Sequence, residues 1–532
     1  MMHRIEIPGG RIAEWATVNE LLAARARQHG DAERIEIDGR AISFRACEER
    51  AATIAANLHK LGVGRGDRVS SFMLNSIEQL LVWFATNRIG AVWVPLNAGL
   101  VGEDLQHTLA DARPRLIVVD EELAPRLENL PAAQGLPVYV AGKPAGNGGR
   151  AFAELLADAA PVPAADLGPG DPSVIIYTGG TTGLPKGVVL PHFALIAAGY
   201  RYMDAFGVTP SDRQFSVLTM YHGGGLGFGL MGPMVADIPT FVAKRFSAST
   251  FWTRVRETGA TLVDLIGTML TALMEQPESP LDREHGVRIS LGGIAQLPAH
   301  IPDAFSARFG VPLLRIYALT EAGAILTFSN RVEGSPSPLA NGAAWGWAEA
   351  RIVDEHDVPL PAGKVGQITL RPLVPHIFMS GYYNNPAHSI AVFANQWLHT
   401  GDLGFLDEHG FLNFTGREAH WMRRRGENIS AYEIETILSQ YPGLREVIAV
   451  GVPSEKGEED VKLFMIKTDG VDIDPADIAR WCEGRMAAFK IPRFYEFVDD
   501  FPRSTTKREP ERQKLKARPN ESVWDREARV KA

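Results

Sequence analysis

The chain has 532 residues, more than one compact core accommodates, so two or more domains are expected. Its 45% hydrophobic and 22% charged content describes a globular enzyme and excludes a disordered or fibrous protein. A net charge of −9 offers no basic face to nucleic acid, so any anionic ligand must be held by local groups.

Cys47 and Cys482 lie far apart and form no metal-ligand pattern, so neither a disulfide framework nor a zinc site is expected, and a reducing cytoplasm fits. The opening residues MMHRIEIPGG lack the apolar core of a signal peptide. The most apolar stretch, Leu80 to Leu96, is interrupted by Asn87 and Arg88, so no membrane span is expected.

In chain order, Thr17 and Glu20 form a capping-box pattern ahead of LLAARARQ, and Gly30 is placed to end that helix. Strand-like runs recur at Asp67 to Phe72, Gly90 to Pro95, Arg115 to Asp120 and Ser173 to Tyr177, with helical segments such as Ile77 to Thr86 between several of them. The alternation continues through Gln214 to Thr219, Thr240 to Ala243, Leu262 to Ile266, Val287 to Leu291 and Leu313 to Tyr317. This rhythm predicts doubly wound α/β sheets. Ala151 to Gly170, rich in Ala, Pro and Asp, reads as a linker or as a short surface helix with loops. From Ala350 the texture becomes hairpins with Asp, Gly and Pro turns, which predicts a small β-rich subdomain. Past Arg417 the chain is α+β, with helices over Ala431 to Gln440 and Pro475 to Ala488 and strands at Glu446 to Val452 and Val461 to Ile466. No internal repeat is present.

The densest chemistry lies in YTGGTTGLPKG, Tyr177 to Gly187. Gly179, Gly180 and Gly183 let backbone N–H groups turn toward an anion without Cβ clashes. Thr178, Thr181 and Thr182 add hydroxyl donors, and Lys186 adds a compact positive charge. Together they predict a loop that holds a polyphosphate. Pro185 before the lysine excludes a Walker A loop, and KGVVL, Lys186 to Leu190, makes the loop join two strands rather than a strand and a helix. A Gly/Thr-rich surface turn is the competing reading.

Further along come MYHGGG with His222, LGGIAQLP (Leu291 to Pro298), IYALTEA (Ile316 to Ala322), WLHTGDLG (Trp397 to Gly404), Gly416 with Arg417, and RRRGENISAYEIE (Arg423 to Glu435). This ordered set resembles the adenylate-forming superfamily of acyl-CoA synthetases, luciferases and peptide-synthetase adenylation domains. RRRGENISAYE together with VWDREA, Val523 to Ala528, is most similar to its crotonobetaine/carnitine–CoA ligase-like branch. The resemblance covers nearly the whole chain. It implies an α/β fold: a large N-terminal domain, residues 1–417, of doubly wound sheets plus a small β-barrel subdomain, then a small mobile α+β C-terminal domain, residues 418–532.

The resemblance also implies roles. Thr178, Gly179, Gly180, Thr181, Thr182, Gly183 and Lys186 would hold the phosphates of ATP, and Gly293, Ile294 and Ala295 would line the adenine and acyl pockets. Tyr317 would stack on adenine and Thr320 contact phosphate. Glu321, with Thr182, would bind Mg²⁺, as oxygen ligands suit a hard cation that bridges phosphates. Asp402 would accept hydrogen bonds from the ribose hydroxyls, which a carboxylate does through both oxygens, and Arg417 would touch the ribose or phosphate. His222 would position the carboxylate substrate or gate its pocket. Arg424, Gly426 and Glu427 would line the route of coenzyme A, the arginine by charge-assisted contacts and the glycine by leaving room for the pantetheine arm. Plainer readings stand beside these: a solvated Thr-Glu strand end, a glycine pair that ends a strand, Asp402 in a turn, a structural His222, and a basic turn before a helix. Gly223 to Gly225, Gly227 and Gly229 would clear space for an acyl group or serve tight helix packing.

Three departures from the family pattern stand out. Ala318 replaces a usual glycine, and Ala419 with His420 stands where a charged pair is usual at the hinge. Near the C-terminus FPRSTTKREPERQKLK lacks the Gly-Lys pair whose lysine approaches the reacting phosphate, leaving Lys507 or Arg508 for that task. A movable ammonium and a planar guanidinium are not equivalent there. The expected function is therefore ATP-dependent ligation of a small-molecule carboxylic acid to coenzyme A through an acyl-AMP. An amide synthetase using an amine acceptor, or a catalytically impaired ligand-binding homologue, is the alternative. A homodimer is an expectation carried by the relatives alone.

Overall fold

A computed structural model of the chain describes residues 4–144, 149–180, 183–293, 300–328, 340–417, 420–424, 427–454, 459–483, 485–486, 490–503, 509–520 and 523–528. It divides into two compact units. The first comprises residues 1–293, 305–350 and 370–398, and the second residues 294–304, 351–369 and 399–532.

The first unit holds two eight-stranded sheets. One runs in the order Gly381–Tyr382, Gly183–Pro191, Pro172–Gly180, Val92–Leu96, Arg68–Phe72, Leu116–Asp120, Val138–Ala141, Gly149–Ala151. Its pairs are parallel from Pro172–Gly180 onward, and the two pairings made by Gly183–Pro191 are antiparallel. The other runs Ala324–Phe328, Leu313–Leu319, Ile289–Gly293, Leu262–Ile266, Gln214–Ser216, Thr240–Val242, Glu33–Ile37, Arg40–Ser43, with antiparallel pairs only at its two edges. Strands covered on both faces read as unbroken apolar runs, which is why LIVVD at Leu116–Asp120 was legible as a strand.

Local signals set the helices. Thr17 Oγ1 accepts from the Glu20 N–H at 3.2 Å and Glu20 returns the bond to the Thr17 N–H at 3.3 Å, so the expected capping box starts Val18–His29, and Gly30 closes it at φ 57°. In the core, Trp83 of the helix Ile77–Arg88 stacks on Trp93 of Val92–Leu96 with centroids 5.5 Å apart. The Trp93 N–H is satisfied by Ser71 Oγ at 3.0 Å. The stretch after Ala151 is not a free linker: Phe152–Leu156 makes a 3₁₀ turn, and Asn57 Nδ2 donates to the carbonyls of Leu155 and Ala157. Both cysteines are buried and outside any disulfide, and burial pushes each thiol up to about 12.

Buried Asn75 ties the two sheets together beyond the ends of their parallel strands. Its Nδ2 donates to the carbonyls of Leu218 and Ala243, each at 2.9 Å, and its Oδ1 accepts from the Met220 N–H at 2.8 Å. Open α/β sheets bind ligands at this end. The glycine-rich segment that follows forms the π-helical turn Gly225–Met231 and the helix Gly232–Ala236. A Cβ on Gly225 would lie 2.1 Å from the Thr219 carbonyl oxygen, so close packing accounts for that glycine.

A four-stranded sheet runs in the order Ala348–Val353, Gly366–Pro372, Leu398–Leu406, Leu412–Arg417. A hairpin, Trp421–Arg424 with Glu427–Ser430, leads to the helix Ala431–Leu438 and to the sheet Leu444–Pro453, Glu459–Lys467, Phe494–Phe497, Trp524–Asp525. The helix expected over Pro475 to Ala488 ends at Cys482. Glu483 turns to an extended conformation at ψ 131° and pairs with Met486 in a bridge, with Gly484 between them. Among the described residues no helix is long and apolar enough to cross a membrane.

Replacing Asn75 by alanine strands two buried carbonyls and one N–H. Denaturant unfolding of Asn75→Ala is expected to show a loss of about 3 kcal/mol with an unchanged m-value.

Candidate active site

The Gly/Thr-rich segment is the end of a β-hairpin. Pro172–Gly180 and Gly183–Pro191 are antiparallel, with Tyr177 opposite Gly187, Thr178 opposite Lys186 and Gly180 opposite Gly183. The strands extend further into the segment than expected, because its glycines carry ladder pairs. The Tyr177 ring lies over Gly187, where a Cβ would meet Ile175 at 2.7 Å and the ring at 3.1 Å. The Tyr177 hydroxyl donates to Asp111 Oδ2 at 2.6 Å, and burial holds that phenol well above its ordinary range. Gly183–Pro191 also pairs with Gly381–Tyr382, placing Val188 opposite Tyr382, and the Tyr383 N–H donates to the Gly187 carbonyl at 2.7 Å. This register brings Tyr382 beside Lys186, whose Nζ is 5.8 Å from the ring centroid.

Glu321 arrives from the second sheet. The strand Leu313–Leu319 ends in a short 3₁₀ turn, Thr320–Ala322, closed by Gly323 at φ 73°. Only glycine fits there, since a Cβ would sit 2.2 Å from the Ile377 carbonyl oxygen. The Met379 N–H donates to the Glu321 carbonyl at 2.9 Å. Fully buried Arg201, on the helix His192–Phe206, donates to the carbonyls of Ala322 at 3.3 Å and Gly323 at 3.1 Å and lies over Trp347. Burial lowers its guanidinium to about 9. The turn is thus held from both sides, and the Tyr382 hydroxyl donates to Glu321 Oε1 at 2.9 Å. Burial, and then that carboxylate, raise the Tyr382 phenol well above its ordinary range, so it remains a donor. Lys186 Nζ lies 2.9 Å from His388 Nε2.

An ammonium, a phenol, a carboxylate and an imidazole therefore converge beside the hairpin. Among the described residues no group of three or more His, Cys, Asp or Glu could hold a metal ion.

The other expected residues are placed as follows. Tyr317 is 4% exposed within Leu313–Leu319, paired with Thr327 beside a bulge at Ala318. His222 is half-buried, edge-on to Tyr221 at 4.8 Å, and its N–H donates to the Thr219 carbonyl at 3.0 Å ahead of the glycine-rich turn. In the second unit, Asp402 is 5% exposed, takes its N–H to Thr400 Oγ1 at 3.1 Å, and stands directly opposite Arg417 in the ladder. Arg424, expected on the coenzyme A route, is instead 2% exposed. Its Nε donates to Asp460 Oδ1 at 2.9 Å, and its other nitrogens reach the Ile491 carbonyl at 2.8 Å and Glu527 at 3.4 Å. The backbone alone is described for Gly179, Gly180, Gly183, Gly293, Arg417 and Glu427. Thr181, Thr182, Ile294, Ala295, Ala419, Gly426, Lys507 and Arg508 lie outside the described residues. The segment 504–508 is flanked by an antiparallel bridge between Arg503 and Pro510, with the Glu511 N–H donating to the Pro502 carbonyl at 2.7 Å.

Sequence reading missed Tyr382, His388 and Arg201. For Arg201 a signal existed, a lone guanidinium among the apolar residues of HFALIAAGYRY. GYYNNP, an aromatic pair before a turn, marked Tyr382 only weakly, and nothing local marked His388.

Residues 22–383 match the family model for the AMP-binding enzyme, and residues 433–508 match that for the AMP-binding enzyme C-terminal domain. The chain belongs to the AMP-binding enzyme family. This AMP-binding enzyme is 32% identical to a crotonobetaine/carnitine–CoA ligase of Salmonella paratyphi A over 475 residues, 87% of this chain and 91% of the relative. Its structure is similar to that of ATP-bound MatB from Rhodopseudomonas palustris, with a TM-score of 0.83 at 29% identity over 94% of this chain and 98% of the other. It is also similar to a benzoate CoA ligase from Burkholderia xenovorans LB400, with a TM-score of 0.83 at 25% identity over 94% and 99% of the two chains. The family resemblance and the α/β fold drawn from the sequence both hold.

In this AMP-binding enzyme, Arg201→Met removes the donors that hold the Glu321 turn. Denaturant unfolding is expected to show a loss of about 3 kcal/mol, and Arg201→Lys to recover only part, since one ammonium replaces a fork that reaches two carbonyls.

Proposed function

We propose that the protein is an AMP-forming acid–CoA ligase acting on a small carboxylic acid. The observation that carries this reading is the convergence of Lys186, Tyr382 and Glu321 at the Gly/Thr hairpin: a cation for phosphate oxygens beside a carboxylate fixed by a phenol. The family and the CoA-ligase names of its relatives support it.

In the first half-reaction a substrate carboxylate oxygen attacks the α-phosphorus of ATP. The bond to the bridging oxygen breaks, and acyl-AMP and pyrophosphate form. The chain's part is positioning and charge stabilisation. Lys186 and the hairpin N–H groups neutralise the phosphates. Tyr382 holds one oxygen of Glu321; the other, with Thr182, would hold Mg²⁺, which would supply positive charge to the phosphates. Asp402 receives the ribose hydroxyls, Arg417 lies next to them, and Tyr317 borders the adenine. His222 positions the acid. Lys507, with Arg508 as its alternative, reaches the α-phosphate.

In the second half-reaction the thiol of coenzyme A attacks the acyl carbonyl and AMP leaves. We assign the change between the two to a rotation of residues 418–532 against residues 1–417, about the backbone near Ala419. Alanine supplies backbone compliance there without a charge. With Arg424 engaged by Asp460 and Glu527, Gly426, which has no side chain, leaves room for the pantetheine arm, with Glu427 next to it in sequence.

The test is a panel of carboxylates with MgATP, following AMP release with coenzyme A, with amines and with neither. Release that depends on coenzyme A is expected; release that depends on an amine identifies an amide synthetase, and nucleotide binding without turnover identifies a ligand-binding protein. In Glu321→Gln, pyrophosphate exchange is expected to fall by about a hundredfold or more with the fold intact, and unchanged exchange removes its metal role. Of Lys507→Ala and Arg508→Ala, one is expected to abolish exchange and the other to leave it nearly unchanged.

A further inference from the structure

His388 stands in the site without a role in the reaction just described. It lies on the helix Pro386–Val392, and that helix is fixed to the strand beside the hairpin. Asn385 Oδ1 accepts from the His388 N–H at 3.1 Å, while Ser389 Oγ donates to the Asn385 carbonyl at 2.8 Å and accepts from the Tyr382 N–H at 2.8 Å. The imidazole packs against the Tyr382 ring with centroids 4.8 Å apart. Its Nε2 is 2.9 Å from Lys186 Nζ.

An ammonium has protons to give and no lone pair, so at this distance Nε2 must be the acceptor and the ring neutral, with its proton on Nδ1. The charged groups that face it agree in the balance. Burial and the Lys186 charge lower its proton affinity more than Glu321 raises it, so the imidazole ionises below its ordinary range. A lysine side chain is a flexible stem with a point charge, and its worth to an anion depends on how much of that freedom is removed beforehand. Tyr382 gives Lys186 an aromatic flank but no hydrogen-bond acceptor aimed at Nζ; His388 supplies one.

We propose that His388 is a positioning residue for Lys186, accepting one ammonium proton so that the other two are presented to a phosphate oxygen of the nucleotide. The inference rests on the adenylation reading only in taking Lys186 to meet phosphate.

Calorimetry of MgATP binding to the full chain, without a carboxylate, tests it in wild type, H388A, H388Q and K186M and in the double variant H388A with K186M. H388A is expected to weaken binding by roughly fivefold to tenfold, the scale of one ordinary net hydrogen bond. H388Q, whose amide oxygen is an acceptor of similar reach, is expected to recover most of that loss. In the K186M background H388A is expected to add nothing, since the lysine it orients is gone. An equal loss from H388A with and without Lys186 overturns the proposal, as does equal weakening by H388A and H388Q, which would mark His388 as a donor to phosphate. Far-UV circular dichroism of each variant separates these results from misfolding. ATP binding with the expected pattern but no pyrophosphate exchange would contradict the ligase reading and leave the role of His388 standing.

Discussion

The register between Pro172–Gly180 and Gly183–Pro191 is the constraint on which the site depends. Thr178 stands opposite Lys186 and Tyr177 opposite Gly187, so the two polar residues share one face of the ladder and the large ring takes the place left by the residue without a side chain. A slip of one residue would turn Lys186 to the other face and drive Tyr177 against Lys186 or Val188. Three contacts hold the pairing: Tyr177 to Asp111, the Tyr383 N–H to the Gly187 carbonyl, and the ladder to Gly381–Tyr382. For a chain of net charge −9, the polyphosphate binding proposed for the hairpin depends on such a local concentration of donors.

The second unit uses charge for a different purpose. Its last residues are fastened by ion pairs to its sheet, Arg503 to Glu446 at 2.6 Å, Lys516 to Glu459 at 2.5 Å and Arg518 to Glu496 at 2.6 Å, and to the helix Ala431–Leu438, Arg512 to Glu435 at 2.5 Å. Asp525 pairs with Arg493, which shares Asp460 with buried Arg424. These half-buried, geometrically coupled pairs matter chiefly as a register device. They accompany the antiparallel bridge between Arg503 and Pro510.

Much of this was legible in the sequence where the physics is local. The Thr17 and Glu20 capping box, the apolar parallel strands and the two strands around the Gly/Thr segment need only neighbouring residues to be read. The helix from Pro475 was read too long because its pattern continues past Cys482, whereas Glu483 leaves the helical conformation before Gly484. The coenzyme A role of Arg424 comes from the resemblance of RRRGENISAYEIE to the family signature, whose arginines suit charge-assisted contacts. Its partners Asp460 and Glu527 are 36 and 103 residues away. The same distance problem hid the site's supports, since His388 meets Lys186 across 202 residues and Tyr382 meets Glu321 across 61. Glu321, Lys186, Asp402 and Tyr317 are singled out by an ordered motif set, not by any contact predicted between them.

The central claim is that the hairpin and the Glu321 turn together direct attack to the α-phosphorus of ATP. It is tested most directly by incubating the full chain with MgATP and an accepted carboxylate, without coenzyme A or amine, and analysing the bound products by mass spectrometry. The account predicts an enzyme-held acyl-AMP together with pyrophosphate. Recovery of an acyl phosphate and ADP would place the attack at the γ-phosphorus and contradict it.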